Sequence, residues 1–169
     1  ELLVQAFLGN QLTQIDALRA MRAAGYGWPE LALALKAQGM KPGELARAFR
    51  AEGAKPNELV ASLRKLELSD AELVQALLDA RFAPPAIALE LRAAELSPGA
   101  FASALSHAGV SWSDVARALA ATRLTGPQLA AALKEAKCEP VDVAVALKAT
   151  GQSRADIALT MKELGYDRV

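Results

Sequence analysis

The stretch Lys41–Leu68, KPGELARAFRAEGA followed by KPNELVASLRKLEL, contains one 14-residue pattern twice, end to end. Lys41 aligns with Lys55, Pro42 with Pro56, Glu44 with Glu58, Leu45 with Leu59 and Phe49 with Leu63. In the same frame, units open at Gly27 and Thr13 on one side, and Glu1–Leu12 fits as a unit short of its first two residues. On the other side they open at Ser69, Ala83, Ser97, Ser111, Thr125, Glu139 and Ser153, and Asp167-Arg168-Val169 starts another. The 169 residues are therefore an array of twelve units without insertion or deletion. A repeat of this kind makes the fold a stack of copies of one element.

Numbering each unit from 1 to 14, the positional chemistry describes a short helix at positions 2 to 12 followed by a turn. Position 1 is Ser, Thr or Asp in seven units (Thr13, Ser69, Ser97, Ser111, Thr125, Ser153, Asp167), residues whose side-chain oxygen accepts from the free N–H groups of a first turn. Three residues later, Asp16, Glu30, Glu44, Glu58, Glu72, Asp114, Asp142 and Asp156 complement the helix dipole and complete capping boxes. All eight prolines fall at position 2 or 3, where no intrahelical N–H is lost. Position 13 is glycine in Gly25, Gly39, Gly53, Gly109, Gly151 and Gly165, as a left-handed helix ending requires.

Between the caps, position 5 is apolar, position 6 is Ala, Val or Leu, and position 9 is Leu, Phe or Met in all twelve units, while position 8 is alanine in nine. With positions 8 and 12 these cover an arc of about 160°, wide enough to pack against neighbours on two sides. Fourteen is also two heptads, but a continuous coiled coil would place proline in helix interiors at about 3 kcal/mol each. The expectation is an all-α solenoid or tight spiral of about twelve short helices, one per repeat. Isolated helices of this length are marginal in water, so the units must stabilise one another. No odd–even alternation is visible, which predicts a uniform screw rather than two kinds of helix.

Composition narrows the function. With 19 basic and 19 acidic side chains the net charge is zero, against the large positive field of a dedicated nucleic-acid or anionic-membrane binder. No apolar run is long enough to span a bilayer. Cys138 is the sole cysteine and His107 the sole histidine, so no disulfide, metal or other cofactor site is expected. Both lie in different units from Ser111, with no triad spacing, and no phosphate loop or apolar acid pair is present. No catalytic residue is expected. Cys138 fills an apolar slot and His107 lies on the polar arc; the compartment is not legible.

The remaining candidates concern binding. Position 10 is basic in Arg22, Lys36, Arg50, Arg64, Arg92, Lys134, Lys148 and Lys162, either as complements to their own helix dipoles, the favoured reading, or as a ladder for a polyanion. Residues 36 to 65 carry seven basic and three acidic side chains, net +4, and residues 67 to 100 two basic and six acidic, net −4. An alternative polyanion patch would comprise Lys36, Lys41, Arg47, Arg50, Lys55, Arg64 and Lys65. Arg19, Arg47 and Arg117, three residues after Asp16, Glu44 and Asp114, are expected to pair within their helices. Trp28 and Trp112, in first turns, either pack over a neighbouring turn, the favoured reading, or serve as partner anchors. Position 7 should face outward, yet it is aliphatic in Leu33, Leu89, Val145 and Leu159. Leu33, Leu89 and Val145 are four units apart, so about four helices per turn would align them in a column for a partner.

Lys41–Gly53 and Ser153–Tyr166 resemble the degenerate units S-x-x-E-[LV]-A-x-A-L-K-x-x-G of certain large bacterial helical-repeat proteins, a likeness that covers the whole chain and implies a helical-repeat fold. Thr125-Gly126-Pro127-Gln128-Leu129 more weakly resembles TAL-effector repeats. Those units are more than twice as long, two-helical and carry a base-reading pair that is absent here, so DNA recognition is not implied. The expected function is a non-enzymatic structural or protein-binding scaffold, with a protein or a second copy as partner; the alternative is nucleic-acid binding through residues 36 to 65. Leu3, Val4 and Phe7 at one end, and Ile157, Ala158, Met161 and Tyr166 at the other, occupy core positions that call for a neighbour. This predicts an excerpt of a longer array, or end-to-end association that could propagate into filaments.

Overall fold

The computed structural model describes residues 13–93 and 96–166, so the readings at Leu3, Val4, Phe7 and Asp167 lie outside the described residues. Among those described there are helices and turns and no strand. The helices are α1 (Gln14–Ala23), α2 (Trp28–Ala37), α3 (Pro42–Ala51), α4 (Pro56–Arg64), α5 (Asp70–Asp79), α6 (Pro84–Ala93), α7 (Pro98–His107), α8 (Trp112–Ala120), α9 (Gly126–Glu135), α10 (Pro140–Ala149) and α11 (Arg154–Glu163). Each begins at position 2, the residue after its unit opens. The array is all-α with one helix per 14-residue repeat, and it forms two compact units, Glu1–Arg81 and Phe82–Val169.

The caps explain why every helix starts and stops in phase. The hydroxyls of Thr13, Ser69, Ser97, Ser111 and Ser153 accept from the N–H three residues on. In three units whose position 1 lacks a hydroxyl, the carboxylate supplies the bond in reverse: the N–H of Gly27, Lys41 and Lys55 donates to Glu30, Glu44 and Glu58 at 2.8, 3.0 and 2.8 Å. At the other end, the N–H of Met40 returns to the Leu35 carbonyl at 3.1 Å and that of Gly39 to Lys36 at 2.9 Å, a Schellman pair. The six glycines at position 13 have positive φ, and so do Glu67, Arg81, Arg123 and Lys137 at the same position. The repeat imposes the left-handed turn even where the side chain disfavours it.

Within each compact unit the most extensive contacts are between helices two apart in sequence: α2 with α4 and α3 with α5 in the first, and α6 with α8, α8 with α10 and α7 with α9 in the second. Consecutive helices also touch, less extensively. Successive helices thus alternate between two rows, with each row built from every second repeat. This accounts for the missing odd–even alternation, since each helix has the same kinds of neighbour as the one before. Within each unit every second helix, rather than every fourth, is thus the stacked neighbour. In the second unit the row α6, α8, α10 places Arg117 at position 7 between Leu89 and Val145, so the aliphatic column is interrupted.

The core follows the repeat. Positions 5 and 9 are buried from Ala17 and Met21 through Val143 and Leu147, and position 6 from Leu18 through Ala130. Burying a leucine in this way contributes about 2 kcal/mol. Helices within a row pack closely enough that position 3 faces position 11 two repeats on. A Cβ on Gly43 would fall 2.1 Å from an Asp79 carboxylate oxygen, and one on Gly99 2.1 Å from the Glu135 carboxyl carbon. Glycine at these two sites therefore makes room for an acid, which lies beside the positive end of the helix two repeats earlier.

Candidate interaction surfaces

The position-10 cations do complement a helix C-terminus, but in four cases it belongs to another helix. Lys36 Nζ donates to the Leu66 carbonyl at 2.6 Å and Lys134 Nζ to Leu164 at 2.7 Å, and Arg50 and Arg92 donate to the carbonyls of Ala80 and Thr122. Each step is 30 residues, from position 10 of one repeat to position 12 of the second one along. The cations thus tie together the rows that the apolar faces form. Arg22 differs, donating to the Tyr26 carbonyl of its own turn at 2.9 Å.

This reassigns part of the polyanion patch, because Lys36 and Arg50 are engaged in these inter-helix caps. Lys41, Arg47, Lys55, Arg64 and Lys65 are exposed. Of the expected intrahelical pairs, Arg117 meets Asp114 at 2.8 Å. Arg19 instead reaches Glu52, two repeats on, also at 2.8 Å; a bond between Arg47 and Glu44 is not formed among the described side-chain pairs.

Trp28 is not a free anchor. Its ring is 6% exposed, lies 5.0 Å from the Phe49 ring centroid and carries the Arg22 guanidinium over it at 4.1 Å. The first turn of one repeat is roofed by position 9 of the next. Trp112 is half-buried, whereas Leu33, Leu89 and Val145 are about half exposed. The described large aliphatic side chains with the greatest exposure are Ile15, Leu33, Leu89, Val141, Val145 and Leu159. All six fall at position 3 or 7, one helical turn apart on the same stripe.

A groove of about 470 Å³ lies between α10 and α11, lined by Val141, Val145, Lys148, Ile157, Met161 and Tyr166 among others. Of these, Ile157, Met161 and Tyr166 were legible as core positions in need of cover; Val141 and Lys148 could have been found from their phase opposite them. A narrower cavity of about 170 Å³ lies among α6, α7 and α8, against Leu91, Phe101 and Leu119.

The nucleophile types lie apart. Cys138 is buried, and burial first, with Asp142 and Glu139 adding to it, pushes its thiol up to about 12. His107 is exposed, its Nδ1 2.7 Å from the Ser103 carbonyl of its own helix. The Ser111 hydroxyl is bound to Asp114 at 2.7 Å as a cap. That bond, with the one from Arg117, holds the Asp114 carboxyl below its usual value, and Thr13 and Ser69 do the same for Asp16 and Glu72. No group of three or more His, Cys, Asp or Glu side chains able to hold a metal occurs among the described residues. No described helix is long and apolar enough to cross a membrane.

Comparison with protein-family models, with curated proteins and with solved structures finds no match for this chain.

Proposed function

We propose that the chain is a non-enzymatic, protein-binding helical-repeat scaffold of the short-unit bacterial type that its units resemble. The observation that carries this reading is the set of half-exposed aliphatics at positions 3 and 7, Leu33 in the first compact unit and Leu89, Val141, Val145 and Leu159 in the second among them. Large apolar groups left half in water suit a protein partner. The commitment of Lys36 and Arg50 to the carbonyls of Leu66 and Ala80 supports a protein partner over a polyanion, because those charges already stabilise helix ends.

The test is twofold. Immobilised chain should retain protein partners from the source cells, and Leu33→Ser with Leu89→Ser should release them without lowering the melting temperature. Titration with duplex and single-stranded DNA and RNA at two salt concentrations should give no binding. Steeply salt-dependent micromolar association, weakened by Arg47→Ala and Lys55→Ala, would overturn the scaffold in favour of a nucleic-acid binder.

A further inference from the structure

We propose that the cavity among α6, α7 and α8 is a binding site for a neutral, flat aromatic group of about indole size. The repeat itself identifies the occupant. In the first compact unit Trp28 places its indole at this point of the pattern, under the Arg22 guanidinium at 4.1 Å and 5.0 Å from the Phe49 ring centroid. Five repeats along, 70 residues on, the positions of Arg22, Trp28 and Phe49 hold Arg92, Pro98 and Leu119, and all three line the cavity. The cation and the apolar wall that enclose a ring in one place are present in the other, where proline stands in for the ring.

Two further exchanges enlarge the space. Phe49 gives way to Leu119, and Leu18, fully buried in α1, to Ala88 on the cavity wall. Phe101, where the first unit has Leu31, returns part of that volume and adds an aromatic wall. What remains is about 170 Å³, comparable with the roughly 150 Å³ in which an apolar protein cavity stays dry and takes up benzene. Ala88, Leu91, Phe101 and Leu119 are buried and form the floor. Pro98 is exposed and Leu96 and Leu124 are half-buried, so a ring can enter from their side.

The polar groups of the wall are already bonded to one another. The Thr122 hydroxyl donates to the Leu119 carbonyl at 2.7 Å, and the Thr122 carbonyl accepts from Arg92. Water in the cavity would find few partners, which favours an apolar occupant. The second bond also anchors the Arg92 guanidinium at the wall, as the Tyr26 carbonyl anchors Arg22 beside Trp28. A fixed cation beside apolar walls favours a ring with a π face over an aliphatic of equal size, and Phe101 offers that ring an edge or face contact. The half-exposed aliphatics behind the scaffold reading do not line this cavity, so the two are independent.

Nuclear magnetic resonance of the methyl-labelled chain, titrated with indole, tests this. The Ala88, Leu91 and Leu119 methyls should shift saturably, with a dissociation constant of about 0.5 mM. Pro98→Trp, which supplies the ring, and Ala88→Leu, which restores the residue found at Leu18, should each abolish the indole-induced shift at Leu119 while keeping the helical circular dichroism of the parent. Arg92→Met should weaken binding about fivefold. N-acetyltryptophanamide carries the same ring on a peptide backbone: binding of both probes assigns the site to a partner's tryptophan side chain, and binding of indole alone to a free small aromatic. An unaltered chain without saturable shifts, cavity-filled variants that bind indole like the parent, or an affinity indifferent to Arg92→Met would overturn the proposal. The titration reads neither partner capture nor nucleic-acid binding, so the scaffold reading stands or falls separately.

Discussion

Helices α8 and α11 arise from the same pattern and differ in what packs on them among the described residues. In α8, Val115, Ala116 and Leu119 at positions 5, 6 and 9 are buried; in α11 the matching Ile157, Ala158 and Met161 are half-buried or exposed. Both helices are capped alike, Ser111 over Asp114 and Ser153 over Asp156 at 3.2 Å. Local sequence therefore suffices to place a helix, whereas the burial that stabilises it comes from the repeats packed against it.

Core truncation should show the contrast most strongly. Leu119→Ala is expected to cost about 3 kcal/mol, as for a fully packed leucine, and Met161→Ala less than about 1 kcal/mol. Urea denaturation of the two variants measures both, and equal losses would remove the distinction between the two helices.

The cation ties should follow. Lys134→Met removes a bond to the Leu164 carbonyl and is expected to cost about 1 kcal/mol, whereas Lys162→Met should leave dilute-solution stability unchanged. Thermal melts of the pair at low ionic strength provide the comparison.

How much of this was legible beforehand depends on the range of the interaction. Helix phase was, because Pro42, Glu44 and Gly53 act within one turn of where they stand. The choice of neighbour was not: with every repeat in a similar environment, nothing in the sequence marks the partner two along rather than one. Lys36 and Arg50 were accordingly read against their own helices, whereas Trp28, legible as packing over a neighbouring turn, is covered by Phe49 of the next repeat. One long-range signal was present and unread, glycine at position 3 paired with an acid 36 residues on, in Gly43 with Asp79 and Gly99 with Glu135. The half-exposed aliphatics at position 7 were legible as outward-facing; the column proposed for them was not supported, because it depended on the number of helices per turn.

Turn chemistry provides a smaller test that should be alike in both kinds of repeat. Lys137, with φ of 62°, occupies the site glycine fills elsewhere, so Lys137→Gly should stabilise by about 0.5–1 kcal/mol and Gly39→Ala should destabilise by about 1 kcal/mol. Melting temperatures of both should move in opposite directions.

The smallest effect concerns pH. The cap hydroxyls hold the carboxyls of Asp16, Glu72 and Asp114 below their usual 3.8, 4.5 and 3.8. A lowered folded value means the contribution is complete above the usual value and is lost as pH falls through the lowered one. The melting temperature should therefore be flat near neutrality and fall below about pH 4, and Ser69→Ala should reduce that fall slightly.

Hydrogen exchange resolved by helix tests most directly whether a repeat depends on those packed against it. The amides of α8, whose core positions are buried, should exchange only through cooperative opening, and those of α11, whose matching positions are half-buried or exposed, much faster. Protection in α11 equal to that in α8 would contradict the account.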